Sequence, residues 1–126
     1  MARERSGIKP TEAELSLLNV LWKMGPSTVR QVHESVSGTQ KTGYTTVLKI
    51  LQIMHEKCLV IRDESNRAHV YAAADSEVQT QSSLLKDLAT KAFGGSTSKL
   101  VMRAIGNSIS QEEIDDIRQL LNGLEE

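Results

Sequence analysis

The side chains best suited to specific chemistry lie between Tyr44 and Glu56. At 100° per residue, Thr45, Lys49, Gln52 and Glu56 fall on one side of a helix, with Thr46 and Ile53 flanking them. Two hydroxyls, an ammonium and a carboxamide form a row of hydrogen-bonding groups with no acid before Glu56. Such a row suits the edges of base pairs. Lysine can donate to guanine, glutamine can pair with adenine, and threonine offers a hydroxyl or a methyl to thymine. Thr45, Thr46, Lys49 and Gln52 are therefore candidates for a major groove, with Lys49 at the centre of the face. Arg62 and Arg67 bracket a polar turn further on and are candidates for backbone or minor-groove contact, while Arg30 and Lys41 are candidates for phosphate.

Catalytic chemistry has weaker support. His33 stands beside Glu34 and His55 beside Glu56, but helical neighbours point in different directions and do not face each other. There is no His-Glu-x-x-His, no glycine-rich phosphate loop and no Gly-x-Ser-x-Gly. The three histidines read as surface or packing residues, and no enzyme is expected. Cys58 is the only cysteine, which excludes an internal disulfide and a multi-cysteine metal site. It reads as a small buried hydrophobe near a helix end. No metal or cofactor is expected.

The elements that must position the polar row come from local signals. Thr11 followed by Glu14 is a capping box, and Leu15, Leu18, Leu21 and Trp22 continue it at helical spacing until Gly25-Pro26. Trp22 is expected to anchor the core. A second, short helix starts at Thr28, capped with Gln31, and buries Val29, Val32 and Val36. The third runs from about Thr42 to Lys57 and turns Tyr44, Val47, Ile50, Leu51 and Met54 inward. Two β-rich stretches, from Leu59 to Asp63 and from Arg67 to Ala72, surround Glu64-Ser65-Asn66 and predict a hairpin. In its second arm Ala68, Val70 and Ala72 share one face, with His69 and Tyr71 on the other. Three helices followed by a hairpin is the order of a winged helix-turn-helix, with the third helix in the major groove and the hairpin as wing.

The rest of the chain reads as three helices. Asp75 is the expected cap of one reaching about Phe93, with Leu84, Leu85 and Leu88 on its apolar stripe. Gly94-Gly95 ends it. Ser96 caps a second, with Leu100, Val101, Ala104 and Ile105. Ser110 and Glu113 cap a third, with Ile114, Ile117, Leu120, Leu121 and Leu124. Three short helices cannot easily bury these stripes against one another, whereas a second copy of the segment can. A homodimer is expected, built on Leu84, Leu85, Leu88, Phe93, Leu100, Val101, Ile114, Ile117, Leu120, Leu121 and Leu124.

Composition is consistent with two parts. The chain has 126 residues, 39% of them apolar but only 3% aromatic, so its core must be aliphatic. Net charge is −1, yet residues 1–74 hold ten Lys/Arg against seven Asp/Glu, and residues 75–126 hold five against nine. The predicted organisation is a mostly α chain with a small β-hairpin: a winged helix-turn-helix DNA-binding domain at 1–74 and a three-helix dimerisation domain at 75–126. No run is long and apolar enough for a membrane span, and Met1 to Ser6 has no apolar stretch behind it, so the cytoplasm is the expected location.

Five pieces in register carry a resemblance: Trp22; the run from Thr28 to Glu34; the run from Tyr44 to Leu48; the run from Arg67 to Tyr71; and Phe93-Gly94-Gly95-Ser96 followed by Leu100-Val101. From about residue 8 to the C-terminus the chain resembles the penicillinase repressor family, the BlaI/MecI/CopY family. The resemblance implies a winged-helix dimer that represses resistance or stress-response genes from a palindromic operator. It further implies control by a membrane sensor protease, acting in the β-lactam branch at an Asn-Phe bond. The matching position here is Arg103-Ala104, and the chain contains no Asn-Phe pair. The copper-responsive branch carries a C-terminal cysteine cluster, which is missing here, so copper sensing is disfavoured. A regulator answering a different stress signal, or a winged helix used only for protein interaction, remain the alternatives.

Overall fold

A computed structural model describes residues 9–38, 41–107 and 109–125. Its elements are α1 (Glu12–Met24), β1 (Ser27–Thr28), α2 (Val29–Ser37), α3 (Tyr44–Glu56), β2 (Val60–Asp63), β3 (Val70–Ala73), α4 (Glu77–Ala92), α5 (Thr97–Gly106) and α6 (Gln111–Glu125). They divide into two compact units meeting between Gln81 and Ser82, inside α4, whereas the charge and motif pattern drew the boundary between residues 74 and 75.

The first unit is a winged helix-turn-helix. Both capping boxes expected at its start are present. Thr11 Oγ1 accepts from Glu14 N–H at 3.1 Å while Glu14 Oε1 accepts from Thr11 N–H at 2.8 Å. Thr28 and Gln31 repeat the exchange at 3.2 and 2.9 Å. Each box satisfies two backbone donors that a helix start leaves without intrahelical partners. α1 stops at Gly25, whose N–H closes the last turn on Leu21 O at 2.8 Å while its φ of 84° takes the chain out of the helix. Leu17, Leu18 and Leu21 of α1, Val29, Val32 and Val36 of α2, and Val47, Leu51 and Met54 of α3 close one aliphatic core over Leu59, Val60 and Tyr71.

The hairpin carries a third strand that periodicity does not show. The sheet order is β1-β3-β2, all antiparallel, with Ser27 opposite Tyr71 and Thr28 opposite Val70, and with Arg62 opposite Tyr71 on the other side. Two residues are too few to display an alternation, and their partners lie far along the chain. β1 seats the start of α2 directly on the wing.

Three expectations for this unit need correction. Tyr44 does not turn inward but stands 47% exposed, because it is the first residue of α3, where the helix has just left the turn. Cys58 is exposed rather than buried. It adopts φ 66° one residue past the C-cap Lys57. Cys58 N–H bonds His55 O at 3.1 Å and Leu59 N–H bonds Met54 O at 2.9 Å, a Schellman ending that sends Leu59 into the core. Finally, Ser76 rather than Asp75 caps α4, exchanging bonds with Gln79 at 3.1 and 2.9 Å. The Asp75 carbonyl instead accepts from Trp22 Nε1–H at 3.0 Å. Trp22 packs against the core half-buried, its indole nitrogen spent on this bond.

In the second unit, Ser96 and Ser110 cap α5 and α6 as expected. Burial is poor. Ala89 is the one buried residue of α4, and none is buried in α5 or α6 among the described residues. Leu85, Leu88, Val101, Leu120, Leu121 and Leu124 are exposed, while Leu84, Phe93, Leu100, Ile114 and Ile117 are half-buried.

Candidate nucleic-acid interface

α3 has a dry face and a wet one. Val47, Leu51 and Met54 have no exposed surface, which fixes the helix's rotation about its axis. Thr45, Thr46, Lys49 and Gln52 then stand exposed together on the other side, as their spacing predicts. Ile53 is also exposed, and Glu56 is the first acid on that face. The N-cap of α3, Gly43, supplies no side-chain bond, so the first-turn N–H groups keep their partial positive charge. With the opposite face buried, these hydroxyls, the ammonium and the amide are turned together to where base edges can be read.

Polar contacts hold both ends of this helix. At its start, His33 Nε2 of α2 lies 2.8 Å from Thr42 O, so the Nε2 proton is donated to that carbonyl. The His33 ring meets the Tyr44 ring edge-on, with centroids 5.8 Å apart and planes at 76°. At its end, Lys57 Nζ reaches Glu14 Oε2 at 2.9 Å. Glu14 is 4% exposed, a buried carboxylate with both oxygens engaged. Periodicity treated Glu14 only as a capping residue and His33 only as a surface or packing residue. The signal for Glu14 was its place on the same face as Leu17, Leu18 and Leu21.

The wing arginines differ from each other. Arg62 is half-buried, with Nε 2.7 Å and Nη2 2.6 Å from Glu64 Oε2. The hydrogen bonds it donates, to Tyr71 first and Glu64 second, raise its pKa and favour the charged guanidinium. Arg62 thereby gives the hydroxyl of the buried Tyr71 a polar partner and braces the wing. Arg67 is exposed in the turn. Asp63 Oδ1 accepts from Ser65 N–H at 2.9 Å and Ser65 Oγ at 2.7 Å, an Asx-type turn that shapes the tip. Those bonds hold the Asp63 carboxyl below its usual range, and Arg62 does the same for Glu64. Arg30 on α2 and Lys41 before α3 are both exposed.

Among the described residues no three His, Cys, Asp or Glu side chains are arranged to hold a metal ion. No described helix is long and apolar enough to cross a membrane.

The family model described as penicillinase repressor matches residues 10–123. The chain is 30% identical over 115 residues to the transcriptional regulator BlaI of Mycobacterium tuberculosis (strain ATCC 25618 / H37Rv), spanning 90% of this chain and 83% of that protein. It is 20% identical over 113 residues to the methicillin resistance regulatory protein MecI of Staphylococcus aureus (strain N315), spanning 89% and 92%. Among solved structures, a probable transcriptional regulator from Pseudomonas aeruginosa overlays with a TM-score of 0.46 at 16% identity, over 94% of this chain and 80% of that one.

Proposed function

Because this chain belongs to the penicillinase repressor family, whose members are transcriptional repressors rather than enzymes, we propose that it binds a palindromic operator as a cytoplasmic homodimer. One observation carries the reading: an acid-free polar row, Thr45, Thr46, Lys49 and Gln52, is exposed on a helix whose opposite face is fully buried. Arg30, Lys41 and Arg67 supply phosphate contacts around it. Arg62 acts through the wing's shape, since Glu64 and Tyr71 occupy its guanidinium. A dimer sets two recognition helices one helical turn apart, or a multiple of that. Phosphate contacts give affinity and base contacts give specificity.

The dimer reading rests on the second unit. Its exposed leucines and valine are more apolar surface than three short helices leave open without a partner. Charge supports the same view. α5 carries Lys99 and Arg103 and no acid, whereas α6 carries Glu112, Glu113, Asp115 and Asp116. Induction follows from geometry: loosening this unit removes the avidity of two linked half-site contacts. A sensor protease cutting near Arg103-Ala104 would act on exposed residues inside α5, so the helix must open locally before an extended protease cleft could take it.

Lys49→Ala should weaken binding to a duplex selected by the protein from random sequence by more than tenfold, with unchanged Trp22 fluorescence. Equal affinity would remove Lys49 from the interface. Sedimentation of the full chain at micromolar concentration should give twice the monomer mass, and a monomer there would overturn the palindromic model.

A further inference from the structure

We propose that the groove between the start of α2, the start of α3 and the approach to β3 is a seat for one backbone phosphate of the bound duplex. The inference rests on the operator reading above and extends it to residues outside the base-reading row. Thr28, Val29, Arg30, Tyr44, Ala68 and His69 line the groove, which encloses about 280 Å³. One water takes roughly 30 Å³, so an oxyanion fits with water still around it. The lining holds a guanidinium, a phenol, an imidazole and a threonine hydroxyl, and among the described residues no carboxylate. That set donates hydrogen bonds to an anion and repels none.

The position of Tyr44 is the second observation. Helical periodicity directs its ring inward, yet it stands 47% exposed at the mouth of the groove. It is held there edge-on by His33, which is itself tied to Thr42 O at 2.8 Å. An aromatic ring kept in the open by a neighbouring element is placed for its hydroxyl. Arg30 stands exposed on α2 and lines the same groove, so its fork is available to a phosphate oxygen. β1 pairing with β3 brings Thr28 opposite Val70, which is how the wing's His69 comes beside α2. The seat therefore joins three elements and would lock the wing, the brace helix and the recognition helix in register on one strand.

The test is a chemical double-mutant cycle on the full-length protein. A duplex selected by the protein is remade with single neutral methylphosphonates along its backbone, and binding is measured for wild type, Arg30→Gln and Tyr44→Phe. One backbone position in each half-site should cost wild type several-fold in affinity while costing either variant clearly less. Arg30→Gln should also lower the slope of log K against log[salt] by about 1.8, the loss of one phosphate contact in each protomer of the bound dimer. Strictly additive penalties at every position, with an unchanged slope, would overturn the seat while leaving the operator reading intact. If wild type itself shows no salt-dependent binding to any duplex, the operator reading fails and the seat falls with it. Inorganic phosphate titrated into DNA-free protein, with the His69 and Tyr44 ring protons followed by NMR, should not saturate at micromolar concentration. Saturation there would reassign the groove to a free anion.

Discussion

Replacing Glu14 tests whether a buried carboxylate fixes the far end of the recognition helix. In the native chain one oxygen accepts from Thr11 N–H at 2.8 Å and the other from Lys57 Nζ at 2.9 Å, with the Glu14 side chain 5% exposed and that of Lys57 35% exposed. Glu14→Ala removes a charge-assisted bond worth about 1.5–3 kcal/mol when fully shielded. One-third exposure of the lysine discounts that toward its lower end. Loss of the reciprocal cap adds about 0.5–1 kcal/mol, since the exposed Thr11 N–H finds water. The expected destabilisation is therefore about 2–3 kcal/mol. Glu14→Gln should cost about 1–2 kcal/mol although it keeps the shape, because an amide has one acceptor oxygen for two donors. Lys57→Met should be no milder than Glu14→Ala: it strands the buried carboxylate, whereas Glu14→Ala merely releases a lysine that can reach water. Urea denaturation followed by Trp22, the chain's only tryptophan and a residue of the first unit, reads these differences as shifts in midpoint at constant slope. A Glu14→Ala shift within about 0.5 kcal/mol, the usual range for surface positions, would refute the reasoning.

Other positions give sharper but smaller effects. Cys58→Gly should stabilise the first unit by about 0.5–1 kcal/mol, because relief of a left-handed non-glycine residue, about 1–2 kcal/mol, exceeds the added freedom of the unfolded chain, about 0.4–1 kcal/mol. Reduced-condition urea melts check it, and a loss of stability would show that the Cys58 side chain is needed. The wing tip should loosen in acid. The Asp63 and Glu64 carboxyls are held below their usual range, so their contribution is complete above the unfolded values and is lost as pH falls through the folded ones. Protection of the Ser65 amide from hydrogen exchange, corrected for intrinsic rate, should therefore hold at neutral pH and fall below about pH 4. Constant protection across that range would contradict the Asx turn as its source.

Most of the helices were legible because their signals are local. The capping pairs Thr11-Glu14, Thr28-Gln31 and Ser110-Glu113 sit three residues apart, and each forms the bonds that its spacing implies. The wet face of α3 was legible for the same reason: Val47, Leu51 and Met54 recur at the helical period, and burying them leaves Thr45, Lys49 and Gln52 opposite. End positions were less legible. Tyr44 and Asp75 lie where a helix meets its connection, and there periodicity no longer decides which way a side chain turns.

By itself, then, the sequence determined the order of helices and hairpin, the polar row on α3 and the apolar stripes of the second unit. Each of these depends on residues within a few positions of one another. Only the tertiary structure decided that Ser27-Thr28 would be a strand on Tyr71, that Glu14 would hold Lys57, that Trp22 would bond Asp75, and that Tyr71 and Glu64 would take up Arg62. Most of these join groups far apart in the chain, and Glu64 close to Arg62 still required the wing to fold first. A hydrogen-bond donor shows its type in the sequence, but its partner is chosen by whichever acceptor the packed core brings within about 3 Å.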